Sequence, residues 1–122
     1  MNLILNSDSY KYSHFAQYPP ETAAISAYIE ARPGGKHDHV LFFGLQMFLK
    51  DYLSRKITMA DVDEAEEMIT AHGLPFHREG FETIVSRHDG HFPLLIEALP
   101  EGMVAPTGTP LVQVRNLSLI HI

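Results

Sequence analysis

Eight histidines, fifteen carboxylates and no cysteine are the raw material for chemistry in this 122-residue chain. A metal would be sought first at His37-Asp38-His39 or among His72, His77, His88, Asp89 and His91. The spacing opposes it. Alternate residues of an extended segment point to opposite faces, no HExxH pair shares a helix face, and no thiolate is available to complete a tetrahedral set. These histidines are therefore expected in loops and at helix ends. Pro33-Gly34-Gly35-Lys36 has neither the GxGxxG nor the GxxxxGK[ST] spacing that cradles a phosphate, and reads as a turn. No GxSxG elbow or Ser-His-Asp order stands out, and the acids gather in one run, Asp61, Asp63, Glu64, Glu66 and Glu67, which is simplest as a solvated face. Lys plus Arg number 9 against 15 Asp plus Glu, for a net charge of −6, the reverse of what a phosphate-backbone reader carries, so no nucleic-acid partner is expected. The missing cysteine removes disulfide frameworks and thiol nucleophiles and leaves the redox compartment open.

The elements that must position these side chains follow from patterning. Ser7 and Asp8 precede aromatics at Tyr10, Tyr12, Phe15 and Tyr18, so a short helix is expected from Asp8 to Gln17, ended by Pro19 and Pro20. Thr22 to Arg32 is rich in small, β-branched and aromatic residues and reads as a strand closed by Pro33-Gly34-Gly35. Val40 to Leu53 is apolar around most of its circumference and reads as a buried helix, with Phe42, Phe43, Leu45 and Met47 in the core and Gly44 marking a close approach by another element. Thr58 can cap a second helix whose stripe is Val62, Ala65, Met68 and Ile69 and whose terminator is Gly73. A third helix spans Glu79 to His88, and Pro93 to Pro100 and Pro110 to Asn116 read as strands around a Pro/Gly-punctuated stretch.

The length and the 45% hydrophobic content suit one modest core, with no repeat, linker or low-complexity tract to divide it. The fold class expected is α/β or α+β, a mixed sheet partly covered by helices. A final strand at the chain's end would leave an unpaired edge, which suggests truncation. MNLILNSD has no basic n-region and no stretch approaches the roughly 20 apolar residues of a spanning helix, so a soluble, cytoplasmic protein with no membrane partner is expected.

Specific wording goes further. LNSDSYKYSHFAQYPP at Leu5–Pro20, AYIEAR at Ala27–Arg32, LFFGLQMFLKDYL at Leu41–Leu53 and DGHFPLLIEALPEGMVAPTGTPLVQV at Asp89–Val114 together resemble the N-terminal portion of the nicotinamide phosphoribosyltransferases, in order and in register from about Asn2 to Asn116. The resemblance implies a homodimeric type II phosphoribosyltransferase. Such an enzyme moves the phosphoribosyl group of 5-phosphoribosyl pyrophosphate to the ring nitrogen of nicotinamide, giving nicotinamide mononucleotide and pyrophosphate for NAD salvage. It also implies Mg2+ with the pyrophosphate and ATP hydrolysis through a phosphohistidine in many members, neither bound by this portion. The main catalytic residues of the family lie farther along, so the 122 residues alone are expected to be inactive. Residues 1–116 read as the family's N-terminal segment. Leu117 to Ile122, LSLIHI, is similar to the in-frame translation of a transposase-end sequencing adapter and is expected to be a non-native tail.

By resemblance, Tyr10 in Asp8-Ser9-Tyr10-Lys11 matches the tyrosine that stacks on nicotinamide across the dimer interface, and Arg32 matches an arginine that holds the 5-phosphate of the neighbouring subunit's site. Asp8 is read as the cap of the helix presenting Tyr10, with pocket contact as a second duty. Lys11 and His14 are taken as structural or surface residues, and Gly90, Gly102 and Gly108 as turn glycines. Two rivals stand beside this reading. Nicotinate phosphoribosyltransferase also places a tyrosine after an aspartate, usually in a TDLY-type setting. PEGMVAPTGTPLVQV looks like half of a biotinyl or lipoyl carrier sandwich, although no Met-Lys-Met hairpin follows; a non-enzymatic interaction domain completes that class.

Overall fold

A computed structural model describes residues 1–117, and the reading of LSLIHI as a foreign tail falls, except for Leu117, outside the described residues. A 3-10 helix, Ser9–Gln17, comes first, followed by β1 (Ser26–Glu30) and β2 (His39–Leu41). Then come α1 (Leu45–Phe48), which continues into a π-helical turn (Leu49–Leu53), α2 (Met59–Ala71) and α3 (Arg78–Arg87). The chain closes with β3 (Leu94–Ala98), β4 (Val104–Pro106) and β5 (Pro110–Asn116). No helix of the described residues is long and apolar enough to cross a membrane.

Every described strand pair is antiparallel: β5 lies between β1 and β3, and β2 pairs with β4. The architecture is therefore α+β, and the expected mixed sheet resolves into two antiparallel ones. The final strand is not an edge. Ile29 and Ala98 flank Val112 while Ala27 and Ile96 flank Val114, so β5 is bonded on both sides and the sheet's edges are β1 and β3. PEGMVAPTGTPLVQV is divided between the two sheets, β4 in one and β5 in the other, instead of closing on itself as a carrier half-sandwich would.

The buried heart lies beneath the helices. Ile4, Ile57, Val62, Ala65, Ile69 and Ile84 form one cluster, flanked by half-buried Tyr12, Phe76, Phe81, Val85 and Phe92. The α2 stripe holds at Val62, Ala65 and Ile69, but Met68 is 48% exposed and lies outside the buried cluster. Thr58 and Asp61 form the reciprocal cap that starts α2. Arg78 at the start of α3 then reaches back to Asp63 and Glu66 of α2 and forward to Glu82, which fixes the angle between the helices.

The segment from Val40 to Leu53 departs most from expectation. Its first residues belong to β2, because Val40 and Leu41 pair with Ala105 and Val104 of the unforeseen strand β4. Gly44 has φ +104 and open space around it, so its service is a left-handed turn into α1 and not a close approach. Phe42 is buried and Leu45 half-buried, yet Phe43 is 72% and Met47 60% exposed. The strand at Ser26–Glu30 is shorter than Thr22 to Arg32, since only those residues find partners on β5.

Candidate functional site

The aromatic-rich N-terminal helix is a 3-10 helix, and its repeat of 3.0 residues decides which rings go where. Positions 12, 15 and 18 fall on one side, and Tyr12, Phe15 and Tyr18 all line a cavity of about 370 Å³. Tyr10 belongs to a different side, where Ser13 Oγ donates to its carbonyl at 3.0 Å, and its ring is 59% exposed. That ring meets His14 at a centroid distance of 5.5 Å, with the Lys11 ammonium 6.0 Å above it.

Asp8 stands at the N-cap position with extended backbone, and its carbonyl accepts from Lys11 N at 3.0 Å, but its side chain caps nothing. The carboxylate instead approaches Lys11 Nζ at 3.7 Å. The Lys11 N–H, which an N-cap carboxylate could take, is already given to the Asp8 carbonyl in the tighter 3-10 turn, which removes the carboxylate's expected role.

The cavity is walled by Phe15, Phe76, Phe81, Phe92 and Ile84, with Lys11, His14 and His77 as its basic groups. Phe76 and Phe81 stack at 5.2 Å, and Phe15 lies against His77 at 4.7 Å. His77 Nδ1 accepts from Gly80 N at 3.2 Å, so the imidazole caps α3. Tyr12 donates its hydroxyl to Ile4 O at 2.9 Å, and burial raises its phenol above the usual range. The lining offers aromatic faces beside Lys11, His14 and His77, with no carboxylate, serine or threonine among the described residues.

Arg32 follows β1 and is exposed, with no ion pair or side-chain hydrogen bond to the described residues. Its neighbour Ala31 accepts from Gly108 N at 2.8 Å, and Glu30 pairs with Pro110, so Arg32 leaves the sheet at the beginning of β5. The cavity reaches the other end of that strand, at Asn116. Seven strand residues span about 20 Å. The fold thus displays Tyr10's helix and Arg32 near opposite ends of β5 and does not bring the two side chains into contact. The spacing of Tyr12, Phe15 and Tyr18 was the signal for the cavity; a period of three is legible as a 3-10 face and not as an α-helical one.

Among the described residues, no three His, Cys, Asp or Glu side chains are grouped to hold a metal ion. Residues 2–96 match the family described as nicotinamide phosphoribosyltransferase, N-terminal domain. The chain is similar to the nicotinamide phosphoribosyltransferase of Xanthomonas campestris pv. campestris, with 48% identity over 115 residues covering 94% of this chain and 24% of that protein. It is also similar to a protein of the same name from Acinetobacter baylyi, 29% identical over 124 aligned positions, covering 89% of this chain and 25% of that protein. The chain spans about a quarter of the length of the curated relatives it matches.

Proposed function

The chain belongs to the nicotinamide phosphoribosyltransferase family as its N-terminal domain, and from that premise we propose that it forms part of an enzyme transferring phosphoribosyl from 5-phosphoribosyl pyrophosphate to nicotinamide. The products are nicotinamide mononucleotide and pyrophosphate, in NAD salvage. Tyr10 supplies an aromatic face for the base and Arg32 a forked donor for the 5-phosphate, both given to the site of the neighbouring subunit in a homodimer.

The observation that carries this reading is the outward display of Tyr10 on a helix whose other aromatic side faces the cavity. A ring held this way is available to a ligand outside its own core. As the ring nitrogen bonds to the sugar, nicotinamide becomes a pyridinium cation, and a face-on tyrosine then gains roughly 0.5 to 2 kcal/mol that the neutral base lacks. None of the described residues takes the Arg32 donors, which suit phosphate oxygens, each charge-assisted bond contributing roughly 1.5 to 3 kcal/mol.

Mg2+ and ATP are, on this reading, used by the whole enzyme and not held by these residues alone. On this reading the 122 residues alone form no nicotinamide mononucleotide. The test joins residues 1–116 to the remainder of the Xanthomonas campestris relative and measures product from each base with 5-phosphoribosyl pyrophosphate. Nicotinamide should be converted and nicotinate poorly. A folded dimeric chimera that uses neither base, or only nicotinate, would overturn the proposal.

A further inference from the structure

The 3-10 helix that displays Tyr10 has no buried residue and no side-chain cap, so nothing within it holds its position. Nine residues of 3-10 geometry are poorly stabilised by their own hydrogen bonds. Two side chains on the side away from Tyr10 do the holding. Tyr12 donates to Ile4 O at 2.9 Å, and Ile4, only 4% exposed, is a member of the buried cluster. The same Ile4 donates its N–H to Asn2 Oδ1 at 3.0 Å, while Asn2 Nδ2 donates to Asp61 O at 2.7 Å and Glu64 Oε2 at 3.0 Å on α2. Tyr12 is thereby tied to α2 through a continuous run of hydrogen bonds. Phe15, one 3-10 turn later, rests on His77, which is itself fixed by accepting from Gly80 N at the start of α3. One anchor goes to α2 and the other to α3, and the Arg78 ion pairs hold those two helices together.

We infer that Tyr12 and Phe15 are positioning residues for Tyr10, converting the rigidity of the α2–α3 pair into a fixed place for the exposed ring. The inference rests on the reading of Tyr10 as the base-stacking residue. Neither anchor touches the base; each acts by restricting where Tyr10 can be, so loosening it weakens capture of nicotinamide more than it slows the transfer.

The chain has no tryptophan, so Tyr10→Trp places a single indole on the display position. In that background Tyr12→Phe, which removes only the hydroxyl, and Phe15→Leu, which removes only the ring, should each lower the indole's fluorescence anisotropy with an unchanged far-ultraviolet dichroism. Ala16→Ser, on the same helix but on neither anchor, should leave it as it was. In the chimeric enzyme the same two variants, with Tyr10 intact, should raise KM for nicotinamide about five-fold while kcat and KM for 5-phosphoribosyl pyrophosphate stay within about two-fold. Unchanged anisotropy in both variants overturns the anchoring, whatever Tyr10 contacts. Lowered anisotropy together with a Tyr10→Ala chimera whose nicotinamide KM and kcat are normal overturns the base-stacking reading, and with it the functional half of the inference. Equal losses in kcat and in affinity for both substrates would mark the anchors as merely structural and also overturn it.

Discussion

Replacing Gly90 by alanine should be among the most damaging single-methyl changes in this chain. Gly90 closes the turn after α3 with φ +78, donates to Ile84 O at 3.0 Å and accepts from Ile57 N at 2.9 Å. A Cβ there would lie 2.5 Å from Ile57 O and 3.0 Å from Lys56 Cβ, and the first of these is the backbone oxygen of a residue only 2% exposed. The left-handed conformation costs a non-glycine residue about 1 kcal/mol. Relieving the clash must move the Lys56–Ile57 segment, weakening its hydrogen bond and the packing of Ile57 for about 2 kcal/mol more. A total of about 3 kcal/mol is therefore expected. Gly102 is the matched control, with φ +89 and nothing within 4 Å of a built Cβ, so Gly102→Ala should cost only the conformational share, about 1 kcal/mol. Urea titrations followed by circular dichroism give both midpoints, with slopes required to agree. Equal midpoints for the two variants would refute the steric argument and leave φ as the whole effect.

Three more outcomes are expected. The Lys56 ammonium beside Asp89 holds that carboxyl below the ordinary carboxylate range, so its stabilisation is present above the unfolded pKa and is lost as pH falls through the folded one. Asp89→Asn, which tolerates the positive φ of this position, should lower the urea midpoint at about pH 6, by a gap that narrows as pH falls below the ordinary carboxylate range. Arg78→Gln leaves Asp63, Glu66 and Glu82 facing one another, and its lowered unfolding midpoint should recover partly in about 1 M salt. Since β1 is a free edge with Tyr28 61% and Ile29 56% exposed, the isolated chain should self-associate, and Ile29→Lys should reduce the larger species in sedimentation velocity.

Much of this was legible because local chemistry and tertiary packing agree. Thr58 marks the start of α2 as a cap, and the stripe Val62-Ala65-Ile69 carries a helical period that burial then uses, while Asp61, placed with the solvated acids, completes the cap. Val40-Leu41 misled because an unbroken apolar run has no period, and its pairing with Val104 and Ala105, some sixty residues away, is a long-range fact. β5 read as an edge because its partners β1 and β3 are set by register and not by chain order. At the site, the motif around Tyr10 was visible, but the role of Asp8 was not. The choice between α and 3-10 geometry, which leaves the carboxylate without a cap to make, lies in how Tyr12 and Phe15 find their anchors. Arg32 was marked by resemblance alone, since a strand-end arginine has no distinctive pattern.

The central claim, that Tyr10 serves a base in the partner's site, is tested by mixing chimeric subunits. One carries Tyr10→Ala and the other is disabled in the downstream catalytic portion. Alone, the Tyr10→Ala dimer should lose about ten-fold or more in kcat/KM for nicotinamide, from a ring contact of roughly 0.5 to 1.5 kcal/mol plus the cation–π gain, whereas Tyr10→Phe should lose much less. After subunit exchange, the heterodimer should regain one intact site and about a quarter of the parental activity in a statistical mixture. Demonstrated exchange with no recovery would show that Tyr10 serves its own subunit or only the packing of its helix.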